Sequence, residues 1–192
     1  MSKYDENIIL KLYIIAEKYS DFFAIHNEVY SLCVKKIMSK GSGTYGMFRP
    51  EKELEKYFTY SGKLTMNEKN KDFIYYFDSN QKLRITECYD GSSRLLYSIL
   101  YNYEDDFVEI IWYSNTRERV VMTGYIEYHD GKLIRFVESG DFRKKVEFDA
   151  DIKTYKEYLF DVDDEFVIGN FYSTEMFVKD SVWRTTNKMR KI

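Results

Sequence analysis

From about residue 73 to 183, aromatic and β-branched residues alternate with charged ones along most of the chain. In Phe142-Arg143-Lys144-Lys145-Val146-Glu147-Phe148, for example, Phe142, Val146 and Phe148 share one parity, while Arg143, Lys145 and Glu147 share the other. Successive strand side chains point to opposite faces, so this pattern writes strands with one buried and one wet face. Strands are expected near 73–78, 82–89, 95–103, 107–113, 119–129, 132–138, 142–148, 154–160, 165–172 and 174–183. Asp130-Gly131-Lys132 and Ser61-Gly62-Lys63 have hairpin-turn chemistry, with Ser79-Asn80-Gln81 and Glu104-Asp105-Asp106 as weaker forms. No proline interrupts the run, since the only one is Pro50.

The amino-terminal stretch has a different period. Ile8, Leu12, Ile15, Tyr19 and Phe22 step by four and three, and Val29, Cys33 and Ile37 resume the stripe. A second apolar row, with Ile9, Tyr13, Ala16, Phe23, Tyr30 and Val34, widens the face beyond a coiled-coil seam. The spacing predicts a helix over 5–39, as one rod or two collinear ones, with Ser20-Asp21 as the cap of a helical hairpin in the alternative. Asp5 and Glu6 suit its start, and Lys35, Lys36, Lys40 and Gly41 suit its end. Pro50 is expected to open a short helix over 51–58.

Together these elements predict an α+β protein. A long helix or helical hairpin, in a segment 1–58 that includes a linker, packs on a large, twisted antiparallel β-meander over 59–192. Roughly eight to ten strands bring such a sheet close to the width at which it curls or splits. A helical face left uncovered within one chain would be buried by a homodimer.

Composition narrows the class. The chain has 192 residues, 44% hydrophobic and 32% charged, which suits a globular domain with a sizeable core. Net charge is −3 with both signs interspersed, so no large basic field for nucleic acid is evident, and the Lys188-Met189-Arg190-Lys191 tail is short. Cys33 and Cys88 form neither a disulfide framework nor a zinc signature. Without a signal-peptide layout or a spanning apolar run, a reduced cytoplasmic setting with no membrane association is expected.

Reactive chemistry is sparse. Gly41-Ser42-Gly43-Thr44-Tyr45-Gly46 follows a helix, and Met47-Phe48-Arg49-Pro50 stands where a phosphate loop needs its lysine, so it is read as a linker. His26 lies seven residues before Cys33. On one helix that separates them by about 10 Å, too far for a thiol–imidazole pair. His129 sits beside a turn, and Asp161-Val162-Asp163-Asp164-Glu165 lacks the glycine and distal glutamate of a calcium loop. No catalytic residue, metal or cofactor is assigned, and the expectation is that the protein is not an enzyme.

The aromatic residues, with 19 Tyr and 14 Phe, carry the functional lead. Tyrosine, tryptophan and arginine are enriched at protein interfaces and their hot spots. Trp112, Tyr113, Tyr125 and Tyr128, mixed with Arg117, Arg119, Arg135 and Arg143, are therefore the candidate partner-binding residues. The competing reading is that aromatic pairs stabilise neighbouring strands by themselves.

A loose repeat runs through the same region. Tyr76-Phe77-Asp78 precedes Lys82-Leu83-Arg84-Ile85, Glu127-Tyr128-His129-Asp130-Gly131 precedes Lys132-Leu133-Ile134-Arg135, and Leu159-Phe160-Asp161 precedes Glu165-Phe166-Val167. This outline resembles the aromatic-Asp-Gly hairpin repeats of bacterial YD-repeat and MORN-like proteins, with Asp130-Gly131-Lys132-Leu133 as the best match. In general character the chain also resembles bacterial toxin-neutralising (immunity) proteins. That resemblance implies a non-enzymatic module that masks another protein, such as a toxin or effector. The alternative is a barrel-like protein that binds a small molecule or lipid in its interior, with or without catalysis. A packed interior with an exposed aromatic patch favours the first, and a cavity among the strands lined by Tyr and a few converging charges favours the second.

Overall fold

The computed structural model describes residues 6–41, 48, 50, 63–139, 154–160 and 166–173, the last two segments by their backbone. Helices α1 (Glu6–Lys18) and α2 (Phe22–Ser31) come first and lead directly into strand β1 (Cys33–Lys40). The long helix expected over 5–39 is therefore corrected at two places. At the first, the Asp21 carboxylate accepts the Ala24 N–H at 3.2 Å and starts α2 as its N-cap. Tyr19 and Phe22, on either side of this break, enter the same core.

The second break follows Leu32. Residues 33–40 carry β-branched Val34 and Ile37, and the edge of the sheet supplies their backbone partners. A bulge between Cys33 and Lys35 changes the facing of the strand, so Cys33 packs toward the helices and Ile37 toward the opposite face. Their four-residue spacing, which mimicked a helical stripe, thus serves two different cores.

The remaining strands are β2 (Lys63–Thr65), β3 (Phe73–Asp78), β4 (Leu83–Tyr89), β5 (Leu95–Tyr103), β6 (Phe107–Ser114), β7 (Arg119–His129), β8 (Lys132–Ser139), β9 (Thr154–Phe160) and β10 (Phe166–Ser173). They form one sheet in the order β10-β9-β8-β7-β6-β5-β4-β3-β1-β2, so β3 to β10 is an antiparallel meander of eight strands. β1 adds to the β3 edge, and β2 pairs only with residues 38–40 of β1. The β7–β8 hairpin turns on Asp130 (φ 50°) and Gly131 (φ 75°) between the paired His129 and Lys132, as a two-residue turn with both φ angles positive requires. The strands expected at 142–148 and 174–183 and the helix at 51–58 lie outside the described residues.

The sheet carries a core on each face. Beneath the helices, Leu12, Ile15, Tyr19 and Phe22 meet Ile85, Leu100, Ile111, Tyr113 and Tyr125. On the opposite face Tyr75, Ile99, Tyr101, Ile110, Trp112 and Met122 pack together. The expectation of one wet face is corrected here, because β6 is buried at every position from 108 to 114. Its Ile110-Ile111-Trp112-Tyr113 run is apolar on both parities, the pattern of a strand covered on both sides. Phe48 lies edge-on to Tyr75 and Phe77, with centroids 4.9 and 5.3 Å away, and Tyr128 donates to the Pro50 carbonyl at 3.3 Å.

Candidate functional site

The two helices are fixed to one sheet face by different chemistry. α1 lies over β6 and β7 and is held by charge. The Lys11 ammonium bonds Glu127 at 2.8 Å while lying 3.9 Å above the Phe107 ring and 4.3 Å above the Tyr125 ring. Farther along, Lys18 and Tyr19 each donate to Glu109 Oε2 at 2.7 Å, and Asn102 donates to the same oxygen at 3.0 Å. Burial alone would raise the Glu109 pKa, but the donations from Lys18, Tyr19 and Asn102 outweigh it and hold the carboxyl below its ordinary range. Burial, and then the carboxylate beside it, pushes the Tyr19 hydroxyl far above its usual value. A hydroxyl bond from Thr123 to the Leu12 carbonyl, at 3.3 Å, completes the seat of α1.

Rings hold α2. Phe22 lies flat on Tyr113, His26 is 5.6 Å from Phe22, Tyr30 is 6.2 Å from His26, and Tyr30 meets the edge of Tyr76 at 5.2 Å. Phe22, His26 and Tyr30 are four residues apart, so they form a row along one side of the helix. At the far end Tyr76 and Tyr89 both donate to Glu87 Oε2, at 2.8 and 2.6 Å. Burial, with Glu87 adding to it, raises both phenols well above their usual values. His26 Nε2 is buried and has no hydrogen-bond partner among the described residues. Its pKa is lowered by burial, against smaller opposing effects of Glu87 and Asn27.

The outward sides of the same helices are apolar as well. Leu10 and Ile14 on α1 are 58% and 56% exposed, and Phe23 and Tyr30 on α2 are 54% and 49% exposed. Leu10, Ile14 and Glu17 step by four and three along α1, as do Phe23, Asn27 and Tyr30 along α2. Just past α2, Leu32 and Val34 are 52% and 71% exposed. These exposed groups give the outward sides of both helices large apolar side chains where a purely solvated helix carries polar ones.

The residues singled out from the sequence are distributed differently. Trp112 belongs to the core opposite the helices, its ring 6.1 Å from Tyr97. Tyr113 and Tyr125 belong to the core beneath the helices, the first under Phe22 and the second under Lys11. Tyr128 is half-buried on the Trp112 side, Arg117 is exposed in the β6–β7 turn, and Arg119 begins β7. Arg135 donates to Glu127 at 3.0 Å, and Arg143 lies outside the described residues. The seven described residues thus divide between two faces and a turn. Alternation already separates Trp112 from Tyr113.

Sequence reasoning missed the outward row of α1 and α2, whose signal was the unusual width of the apolar stripe. It also missed Glu87 and Glu109, the acidic residues that occupy core-facing positions of β4 and β6. Cys33 Sγ lies 3.4 Å from the Val29 carbonyl and makes no bond with His26. His129 is exposed, 3.6 Å from the Asp130 carboxylate. The acidic run at 161–165 lies outside the described residues. Among the described residues no three His, Cys, Asp or Glu side chains gather where a metal could be held, and no helix is long and apolar enough to cross a membrane.

No family model, curated protein or solved structure matches the chain.

Proposed function

We propose that the protein is a non-enzymatic binding module that acts by docking another protein, in the manner of a toxin-neutralising protein that masks its target. The observation that carries this reading is the exposed apolar surface of α1 and α2, set on helices whose inner sides are fastened to the sheet. A surface already fastened loses little conformational freedom when a partner arrives, which favours tight association. Phe23 and Tyr30 are the large rigid side chains that suit an interface anchor. The sheet aromatics Trp112, Tyr113 and Tyr125 support the platform from within.

One observation favours the ligand-binding alternative. The Thr86 hydroxyl is fully buried between Tyr75 and Ile99 of the neighbouring strands and has no hydrogen-bond partner among the described residues. A small polar ligand on the Trp112 side of the sheet would satisfy it.

Affinity capture from a lysate of the native host, followed by mass spectrometry, separates the two readings. A stoichiometric protein partner retained by the wild-type chain supports docking. No partner at low or physiological salt removes that reading and turns the search to ligands of the sheet interior.

A further inference from the structure

The end of the sheet at β1 and β2 concentrates positive charge. Residues 36–40 and 63–72 hold five lysines, Lys36, Lys40, Lys63, Lys69 and Lys71, against the two carboxylates Glu68 and Asp72. This corner is therefore at +3 in a chain whose net charge is −3. Four of the lysines are exposed, and Lys71 is half-buried, its ammonium 4.4 Å above the Tyr89 ring. Lys36 and Lys40 share one parity of β1, and Lys63 is the direct cross-strand partner of Lys40. The loop after β2 folds back across β1, tied by Lys36 to the Glu68 carboxylate at 2.7 Å and by Lys40 to the Asn70 side chain. Lys71 bonds the Glu68 carbonyl at 2.9 Å, so the lysines gather around one short loop.

This charge is only partly cancelled where it lies. Glu68 neutralises Lys36, and the Asp72 carboxylate accepts the Gly41 N–H at 2.7 Å. Asp90, at the same end of β4, is engaged by Arg94 at 3.1 Å. Lys40, Lys63, Lys69 and Lys71 have no ion pair among the described residues. Like charges directly opposed on neighbouring strands, as Lys40 and Lys63 are, cost stability. An anionic surface laid against them relieves that cost. Apolar side chains project from the same corner: Met66, the residue after β2, is 93% exposed, and Leu64 is 59% exposed.

No arginine lies in this cluster. Arginine's planar fork recognises individual phosphates and carboxylates, whereas lysine is a point charge on a flexible stem. Several such charges suit a diffuse negative surface better than a shaped anionic ligand. Met66 gains nothing from a nucleic-acid backbone, but the boundary between lipid headgroups and acyl chains accepts it.

We infer that the β1–β2 corner attaches the protein reversibly to a membrane surface that carries anionic phospholipid. The lysines meet the headgroups, and Met66 enters the boundary beneath them. Such attachment needs no spanning run, the feature whose absence led to the expectation of no membrane association. It goes beyond the docking reading and uses none of the outward residues of α1 and α2.

Co-sedimentation of the full chain with vesicles tests this. Vesicles of phosphatidylcholine alone are compared, at low and high salt, with vesicles in which about one-third is replaced by phosphatidylserine. Binding to the serine-containing vesicles should be at least about tenfold tighter and should weaken as salt shortens the reach of the charges. Each lysine near an anionic surface is worth about fivefold in affinity, so the double variant Lys40→Gln, Lys63→Gln should weaken binding by about 25-fold. Its melting temperature should hold, because an opposed like-charge pair is removed. Lys69→Gln, in the loop and away from both strands, should weaken binding by about fivefold on its own. Met66→Ser should weaken it by about threefold or more at both salt concentrations. Lys82→Gln, in the turn at the other end of β3 and β4, should change it by less than about twofold.

Equal binding to the two kinds of vesicle would overturn the inference. Wild-type affinity in Lys69→Gln and in the folded double variant would overturn it too, as would an equal loss with Lys82→Gln, which means attraction without a site. Tighter binding to polyglutamate or to duplex DNA at the same salt would replace the occupant and overturn it as well.

Discussion

The rings of Phe22 and Tyr113 lie one upon the other, 4.3 Å apart and within 9° of parallel. Phe22 opens α2 and Tyr113 lies near the end of β6, so this stack joins the second helix to the centre of the sheet. Phe23, the next residue, turns outward and meets the same tyrosine only with its edge, at 5.0 Å. Adjacent phenylalanines thus have separate tasks, one holding the helix down and the other facing outward.

Phe22→Ala should lower stability by about 3–4 kcal/mol, the ordinary cost of emptying a packed aromatic site. Phe23→Ser should cost about 1 kcal/mol or less and reduce partner binding instead. Denaturant titration alongside a binding measurement separates the two. Similar stability losses at both positions would contradict the division.

Glu109 is the polar counterpart of that stack. Glu109→Ala removes the acceptor shared by Lys18, Tyr19 and Asn102 and strands a buried phenol and an ammonium, at a cost of about 3 kcal/mol. Because the folded carboxyl titrates below its ordinary 4.5, the unfolded chain takes up the proton first as pH falls. Its contribution is complete above 4.5 and is lost as pH drops through the folded value. Urea midpoints measured across this range should fall less steeply for Glu109→Gln than for the wild type.

His26 gives a second pH dependence at higher pH. The folded imidazole titrates below its ordinary 6.5, mainly because it is buried, so the unfolded state binds the proton more readily. Stability is complete above 6.5 and declines as pH falls below it toward the folded value. His26→Phe keeps the ring row between Phe22 and Tyr30 and should flatten this part of the profile. A wild-type stability unchanged as pH falls from 7 to 5, through the ordinary 6.5, would contradict the assignment.

Gly124 of β7 pairs with Glu138 of β8. A β-carbon there would lie 2.6 Å from the Val137 carbonyl oxygen, which belongs to a paired strand and cannot swing aside. Gly124→Ala should cost about 2 kcal/mol. Gly131→Ala, at φ 75° with open space around it, should cost about 1 kcal/mol from backbone strain. Thermal melts of the two variants would rank them.

The meander was legible because its signals are local. Asp130-Gly131 marks a hairpin by itself, and a run without proline lets each strand show its alternation. The end of the helix was not legible, since Cys33 and Ile37 keep helical spacing and only a bulge and a partner strand make them β-structure. Glu87 and Glu109 were hidden for a related reason. Each looks like one more polar position until α1 closes over Glu109, and Tyr76 of β3 and Tyr89 of β4 close over Glu87. Of the outward residues, Phe23 and Tyr30 were visible in the second apolar row, which was read as a widened helix face, whereas Leu10 and Ile14 fell in neither row. Periodicity reports which residues avoid water and is silent on what covers them.

The central claim is that a partner protein sits on the outer surface of the two helices. Hydrogen–deuterium exchange of the chain, free and saturated with its captured partner, tests this most directly. The account predicts slower exchange across residues 6–31, with β5 to β7 unchanged because both of their faces are already buried. Protection confined to the sheet strands, with the helices exchanging as in the free protein, would contradict it.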